Sequence, residues 1–170
     1  MMVIHEAGHV VGAVCTRATV EKVVLHPLAI SRTDVGNNQN PLTVIWAGPV
    51  LGAVLPLVLL SFSGKVNGAL RPFAKFFAGF CLVANGAYIS VGSFERIGDA
   101  GDLLSHGSPG WTLWLFGAVT IPTGFWLWNG LGPSFGLGTA KGEVNPRLAY
   151  LSAGLLALTV LAELCFSPSH

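Results

Sequence analysis

Three long stretches of the chain contain no charged side chain, and they constrain the fold more than any other feature. No Asp, Glu, Lys or Arg occurs in residues 35–64, 76–94 or 103–140. A helix needs ~20 apolar residues to cross a hydrocarbon layer that is ~30 Å thick. Each stretch is long enough to contain such a helix, so the sequence predicts an integral membrane protein that crosses the bilayer several times.

The overall composition agrees with this class and excludes others. Of the 170 residues, 52% are hydrophobic and only 10% are charged, whereas an ordinary soluble domain carries about 25% charged residues. The formal net charge is +1, and no basic patch alternates with aromatic residues, so a nucleic-acid partner is excluded. The three cysteines lie singly in apolar segments without a CxxC pair, which indicates small packed side chains rather than a disulfide framework.

The sequence predicts an all-α membrane protein of about five transmembrane helices, which form one domain over residues 1–170. The apolar segments that carry these helices are Met1–Cys15, Pro41–Leu60, Phe73–Phe94, Trp111–Trp128 and Arg147–Phe166. Tryptophans at both ends of the fourth segment are typical of the membrane interface. The lipid bilayer is therefore an expected partner of the chain.

The segments between the helices are more polar. Residues 20–25 are rich in β-branched side chains and favour a short strand or hairpin at the membrane surface. Residues 32–40 are predicted by composition to form a loop, and residues 61–65 a turn. Residues 95–110 form a polar connection and residues 129–145 a glycine-rich loop.

The first apolar helix contains the motif His5-Glu6-Ala7-Gly8-His9. Residues four apart lie on one face of a helix, so His5 and His9 can bind one metal ion together. Two neutral imidazoles suit Zn²⁺, which in catalytic sites takes three protein ligands and leaves a fourth position open. Glu6 would then lie beside the metal as a general base for water.

Buried histidines can also be satisfied by backbone carbonyls without any metal. However, the motif places three polar side chains within five residues of an apolar helix, and each unpartnered polar group costs roughly 2–7 kcal/mol to bury. Ionisable residues in membrane segments are functional candidates for this reason. Gly8 and Gly12 share the face of the histidines, so a neighbouring helix can approach the metal closely.

A catalytic zinc site needs a third ligand, which is usually a histidine or a carboxylate. The acidic candidates are Glu21, Asp34, Glu95, Asp99, Asp102, Glu143 and Glu163. The cluster after the third helix is favoured, because small residues around Asp99 and Asp102 permit close approach to a metal. These two residues are three apart and share a helix face, so one can bind the ion while the other orients a ligand.

These features together resemble the site-2 protease family of intramembrane zinc metalloproteases, over roughly residues 1–104. In that family the third zinc ligand is an Asp in a Leu-Asp-Gly-Gly motif. The matching segment here is Gly98-Asp99-Ala100-Gly101, so the resemblance favours Asp99 as ligand and leaves Asp102 as the alternative. The family's Gly-Pro segment matches Gly48-Pro49, and Asn85 is the loose counterpart of its Asn-Pro stretch, without the proline.

The resemblance implies a multi-pass zinc protease in which His5, His9 and Asp99 bind Zn²⁺ and Glu6 is the catalytic base. Gly48, Pro49 and Asn85 would line the site. The partner would be a membrane protein or peptide whose transmembrane segment is cleaved. Two alternatives remain open: a non-catalytic membrane scaffold or metal-binding protein that retains the protease fold, and a metal or solute transporter. Transport would favour more polar residues along several helices than Asn85 and Glu163 provide.

The length of the first helix also leads to a prediction about where the native reading frame starts. A helix from Met1 to Cys15 is about 22 Å long, which is shorter than the ~30 Å hydrocarbon layer. We therefore expect the native reading frame to supply further apolar residues before Met1. The genomic sequence immediately upstream tests this, and an in-frame stop codon directly before Met1 would contradict it.

Overall fold

The computed structural model describes residues 1–25, 31–66, 70–140, 142, 144 and 146–166. Within these residues the chain forms six α-helices and one two-stranded sheet. The elements in chain order are α1 (Met2–Thr16), β1 (Thr19–Val24), β2 (Arg32–Gly36), α2 (Pro41–Val66), α3 (Arg71–Glu95), α4 (Gly98–Ser105), α5 (Gly110–Trp128) and α6 (Pro146–Phe166). The prediction of a mostly helical chain with a short β segment after the first helix is confirmed.

The β segment is a hairpin, and its second strand was not predicted. Strand β1 pairs with β2 in antiparallel register, from Thr19 opposite Gly36 to Val24 opposite Arg32. The prediction of a loop over residues 32–40 is therefore wrong for residues 32–36. A two-stranded sheet leaves much of its surface open to solvent, so its strands can be as polar as a loop. The composition of residues 32–36 therefore does not distinguish a strand from a loop.

Two other segments differ from the prediction. Helix α2 continues to Val66, so the turn predicted at residues 61–65 is wrong. Its serines remain helical because Ser61 Oγ donates a hydrogen bond to the Val58 carbonyl at 2.6 Å and Ser63 Oγ donates to the Leu60 carbonyl at 2.7 Å. In addition, the polar connection after α3 contains the short helix α4.

Two of the described helices are long and apolar enough to cross a membrane, namely residues 41–64 of α2 and the whole of α3. Only 33% of the apolar window in α2 and 44% of that in α3 is buried inside the protein, so much of their apolar surface faces outward. Helix α6 contains a shorter apolar stretch, Ala149–Ala162. Helices therefore form at all five predicted positions, but the crossing of a membrane by five of them is not confirmed.

Small residues let the helices pack closely around the first helix. A Cβ atom added to Gly8 would lie 2.7 Å from the Cα atom of Gly48, and one added to Gly12 would lie 2.7 Å from the Cβ atom of Ala47. The predicted close approach of a neighbouring helix is therefore confirmed, and that helix is α2. The glycine face of α1 is also its histidine face, so this contact brings α2 against the motif.

Helix α4 is held in place by an apolar cluster that it shares with α3 and α5. The buried members of this cluster are Ile89, Ala100, Leu103 and Leu113. Arg96 and Gly98 both have positive φ angles, of 54° and 52°, and they reverse the chain direction between α3 and α4. The reversal packs the first turn of α4 back against α3, which fixes the position of Asp99.

The contact between α1 and α2 leads to a stability prediction. Gly8→Ala should destabilise the protein, because the added methyl group meets the backbone of α2 and overpacking typically costs ~1–3 kcal/mol. Thermal unfolding of the detergent-solubilised protein measures the loss. Gly154→Ala in α6 is the matched control, since nothing lies within 4 Å of an added Cβ atom there. Equal unfolding temperatures for the two variants would contradict the prediction.

Candidate metal centre

Three potential ligand atoms from two distant parts of the chain meet at one point. His5 and His9 lie on α1, and Asp99 lies in the first turn of α4. The Asp99 Oδ2 atom is 2.7 Å from His5 Nε2 and 3.2 Å from His9 Nε2. Among the described residues these three form a group whose ligand atoms all lie within 4.8 Å of one another.

The ring of His5 is oriented by Asn85 of α3. His5 Nδ1 lies 2.7 Å from Asn85 Oδ1. The Asn85 amide nitrogen donates to the Cys81 carbonyl at 2.8 Å, so the side-chain oxygen must be the atom that faces His5. An amide oxygen can only accept a hydrogen bond. His5 therefore carries its proton on Nδ1, and Nε2 is free to offer its lone pair to the site.

The ring of His9 is oriented in the same sense by the backbone of α2. His9 Nδ1 lies 2.9 Å from the carbonyl oxygen of Val44. A carbonyl oxygen accepts but does not donate, so Nδ1 carries the proton here as well. Hydrogen bonds of this kind, from the second ring nitrogen to a carbonyl or amide oxygen, commonly fix the tautomer of metal-binding histidines.

The carboxyl group of Asp99 is suited to bind a cation. Burial disfavours its charged form, but the neighbouring His5 and His9 side chains outweigh burial and lower the pKa of Asp99 from 3.8 to about 2. The group is therefore ionised at neutral pH. The two Nε2 atoms and the carboxylate converge on one point, where a bound cation would take the place of any proton that they share.

The donor chemistry of these three residues is compatible with Zn²⁺. Two histidine nitrogens and one carboxylate oxygen are the ligands of a catalytic zinc site that keeps its fourth position open. Ligand atoms at ~2.0–2.1 Å from a tetrahedral ion lie roughly 3.3 Å apart. The two distances to Asp99, 2.7 Å and 3.2 Å, are close to this value, so small movements of the side chains would accommodate the ion.

Glu6 is buried beside the two histidines and is held by the hairpin. Only 3% of the surface of Glu6 is exposed to solvent. Thr33 of β2 donates a hydrogen bond from Oγ1 to Glu6 Oε2 at 2.7 Å. One carboxylate oxygen thus has a fixed partner, which orients the group at the wall of the cleft described below.

The Gly-Pro segment of α2 lies against the site. A Cβ atom on Gly48 would meet the ring of His9, at 2.9 Å from Cδ2. Only glycine therefore leaves room for His9 in this orientation. Gly52, one turn further along α2, has the same relation to Asn85, since an added Cβ atom would lie 2.8 Å from Oδ1. Pro49 is fully buried in α2.

The other predicted carboxylates take different positions. Asp102 is exposed and lines the cleft without joining the group of three ligand atoms. Glu21 and Asp34 also line the cleft, and Asp34 accepts a hydrogen bond from Arg32 at 3.2 Å. Glu95 is exposed near the end of α3. Glu143 and the side chain of Glu163 lie outside the described residues.

A cleft of about 750 Å³ leads to the three ligand atoms. Its wall includes His5, Glu6 and His9 from α1, residues 32–35 from β2, and Tyr88, Asp99 and Asp102 from α3 and α4. The site is therefore reached from the end of the molecule where the hairpin and α4 lie. This volume is large enough for a peptide segment or a drug-sized ligand.

Sequence reasoning missed three contributors to the site. The Val44 carbonyl could not be found, because a backbone group carries no residue signature. Thr33 lies in the segment that was predicted to be a loop. Tyr88 had a detectable signal, since it follows Asn85 by three residues and therefore shares its helix face. Its phenol oxygen accepts a hydrogen bond from the Asp99 backbone N–H at 3.2 Å.

Comparison with known proteins gives no independent assignment. No protein-family model, curated protein or solved structure matches the chain.

Proposed function

We propose that the protein is a membrane-embedded zinc metalloprotease that hydrolyses a peptide bond within or near a transmembrane segment of its substrate. The observation that carries this proposal is the convergence of His5 Nε2, His9 Nε2 and Asp99 Oδ2 at the end of a cleft. Glu6 lies in the same cleft wall, one residue along α1 from His5. A ligand set with an adjacent buried carboxylate is what metal-assisted hydrolysis requires.

Zinc supplies Lewis acidity at such a site, since it activates a water molecule as a nucleophile and polarises a carbonyl oxygen. His5, His9 and Asp99 would hold the ion, and Asn85 and Val44 keep the two imidazoles in the required tautomer. Glu6 takes a proton from the attacking water and passes it to the nitrogen of the leaving amine. Thr33 keeps the Glu6 carboxylate pointing in one direction during both transfers.

The hairpin supports a peptide as the substrate. Four consecutive residues of β2, 32–35, line the cleft. Neighbouring side chains of a strand point to opposite faces, so a cleft that borders all four follows the edge of the strand. Within the described residues β2 pairs with β1 alone, which leaves this edge available for hydrogen bonds with an extended peptide. An extended peptide also exposes its carbonyl groups, whereas a helix pairs them internally.

The membrane part of the proposal rests on α2 and α3, which have the length and composition of spans. Both helices contribute to the site, through Val44 and Gly48 on α2 and Asn85 on α3. A site built between two such helices lies beside the lipid. We include α1, α5 and α6 in the membrane-embedded part, so that the chain crosses the bilayer about five times.

A non-catalytic scaffold or metal-binding protein is the second candidate, because the same three ligands would bind zinc without any turnover. Glu6 argues against it. Among the described residues its buried carboxylate has one hydrogen-bond partner, Thr33, and such a carboxylate is costly to keep in a protein that does not use it. A transporter is less supported, since the described residues of α2 contain no charged side chain before Lys65 and those of α3 contain none between Lys75 and Glu95.

Metal binding separates the roles of the two aspartates. Asp99→Ala should lose zinc, because two imidazoles alone hold the ion weakly. Asp102→Ala, the matched control in the same helix, should keep most of its zinc and lose activity only in part, by the ~10–100-fold typical of an orienting group. Elemental analysis of dialysed protein gives the metal content of each variant. Full zinc occupancy in Asp99→Ala would remove Asp99 from the ligand set.

Catalysis depends on Glu6. Glu6→Gln should keep zinc bound and keep the hydrogen bond from Thr33, because the amide oxygen still accepts it. Its cleavage rate should fall by ~10²–10⁴-fold, since the amide cannot take up a proton. Cleavage of a model transmembrane substrate in proteoliposomes measures this. Wild-type activity in the variant would contradict the role of Glu6, and a wild-type protein that is inactive on every substrate tested would favour the scaffold.

A further inference from the structure

Tyr88 has a hydroxyl group beside the metal ligands, and the mechanism above does not use it. The phenol oxygen accepts a hydrogen bond from the backbone N–H of Asp99 at 3.2 Å. The ring packs edge-on against the ring of His5, with 5.7 Å between centroids. Any side chain on Gly98 would collide with the phenol group, so the glycine before Asp99 is what admits Tyr88 to this position.

The proton of this hydroxyl group is available to a ligand. A phenol can donate one hydrogen bond as well as accept. The hydrogen bond from Asp99 uses the accepting side of the oxygen, and no described residue takes the proton. Tyr88 lines the cleft, where a bound molecule can accept it. The N–H that points at the phenol oxygen belongs to the first turn of α4, and accepting from it polarises the O–H bond and makes it a stronger donor.

Asn85 cannot fill the same role in this arrangement. Its side-chain oxygen accepts from His5 Nδ1, and its amide nitrogen donates to the Cys81 carbonyl. Both ends of the amide are therefore engaged in orienting His5. Asn85 is also fully buried and does not line the cleft, whereas Tyr88 does, so of these two residues of α3 Tyr88 is the one whose donor can reach a substrate.

We propose that Tyr88 is a catalytic residue that donates a hydrogen bond to the carbonyl oxygen of the scissile peptide bond. The inference rests on the proposed function and adds a residue to it. Negative charge develops on that oxygen when water attacks the carbonyl carbon, and a fixed donor stabilises it more than the neutral ground state. Tyr88 is carried by a different helix from Glu6, so the two groups can act on different atoms of one substrate.

The reaction balances with the proton of Tyr88 left in place. A bond forms between the water oxygen and the carbonyl carbon, and the electron pair of the C=O bond moves onto the carbonyl oxygen. Glu6 takes the proton that the water releases. When the C=O bond re-forms, the C–N bond breaks and the leaving nitrogen takes the proton from Glu6. The products are a carboxylic acid and an amine, and Tyr88 remains a neutral phenol throughout.

Tyr88→Phe tests the inference, because it removes the hydroxyl group and keeps the ring against His5. We expect kcat to fall on the order of 10²-fold, as for the loss of one oxyanion donor, with KM little changed and with the zinc content of the wild type. Tyr150→Phe is the matched control, since Tyr150 lies on α6 and is 79% exposed. It should have wild-type kcat and KM.

A binding measurement distinguishes this role from a purely structural one. A phosphinic peptide with the sequence of the cleaved substrate imitates the tetrahedral state. Tyr88→Phe should bind it on the order of 10²-fold more weakly than the wild type, while Tyr150→Phe binds it normally.

Unchanged kcat and unchanged affinity for the phosphinic peptide in Tyr88→Phe would overturn the inference but leave the proposed protease function intact. Loss of zinc from Tyr88→Phe would make Tyr88 a support for Asp99 and would also overturn it. A wild-type protein that neither cleaves substrate nor binds the phosphinic peptide would overturn the proposed function, and the inference with it.

Discussion

The hydrogen bonds made by the Nδ1 atoms of His5 and His9 control the chemistry of the site. The acceptors are the Asn85 side chain for His5 and the Val44 carbonyl for His9. Because both are acceptors, each ring keeps a proton on Nδ1 and presents Nε2 to Asp99 as the ring atom that can bind a metal. Without these contacts the imidazoles could rotate or change tautomer, and the three potential ligand atoms would no longer converge on one point.

Glycine makes this arrangement possible, since the site lies between helices that are in backbone contact. Gly8 lets α1 approach α2, and Gly48 leaves the space that the ring of His9 occupies. Gly52 and Gly98 do the same for Asn85 and Tyr88. Close contact between small residues is one way in which helices associate without large apolar side chains at their interface. The residues that hold the fold together are thus also those that shape the site.

The hairpin and α4 complete the site from the side that faces the cleft. Thr33 partners the buried carboxylate of Glu6, and Asp99 brings the third ligand atom. Both belong to polar segments that connect the long helices, so the apolar core of the molecule meets its polar surface at the candidate metal centre. The cleft therefore opens the candidate metal centre toward the polar end of the molecule.

The main helices and the HExxH face could be predicted from the sequence, because helical periodicity and long apolar stretches are local properties. The sequence also placed Gly8 on the face that packs closely, and the family resemblance singled out Asp99. The tertiary structure was needed to establish which carboxylate meets the histidines, because both aspartates lie on the short helix α4 and only its packing directs Asp99 toward them. It alone supplied Thr33, whose strand is defined by pairing with β1 and has no signal of its own. Contacts over 27 to 94 residues of sequence, such as Thr33 with Glu6 and Asp99 with His5, depend on how the whole chain packs, and no local pattern records them.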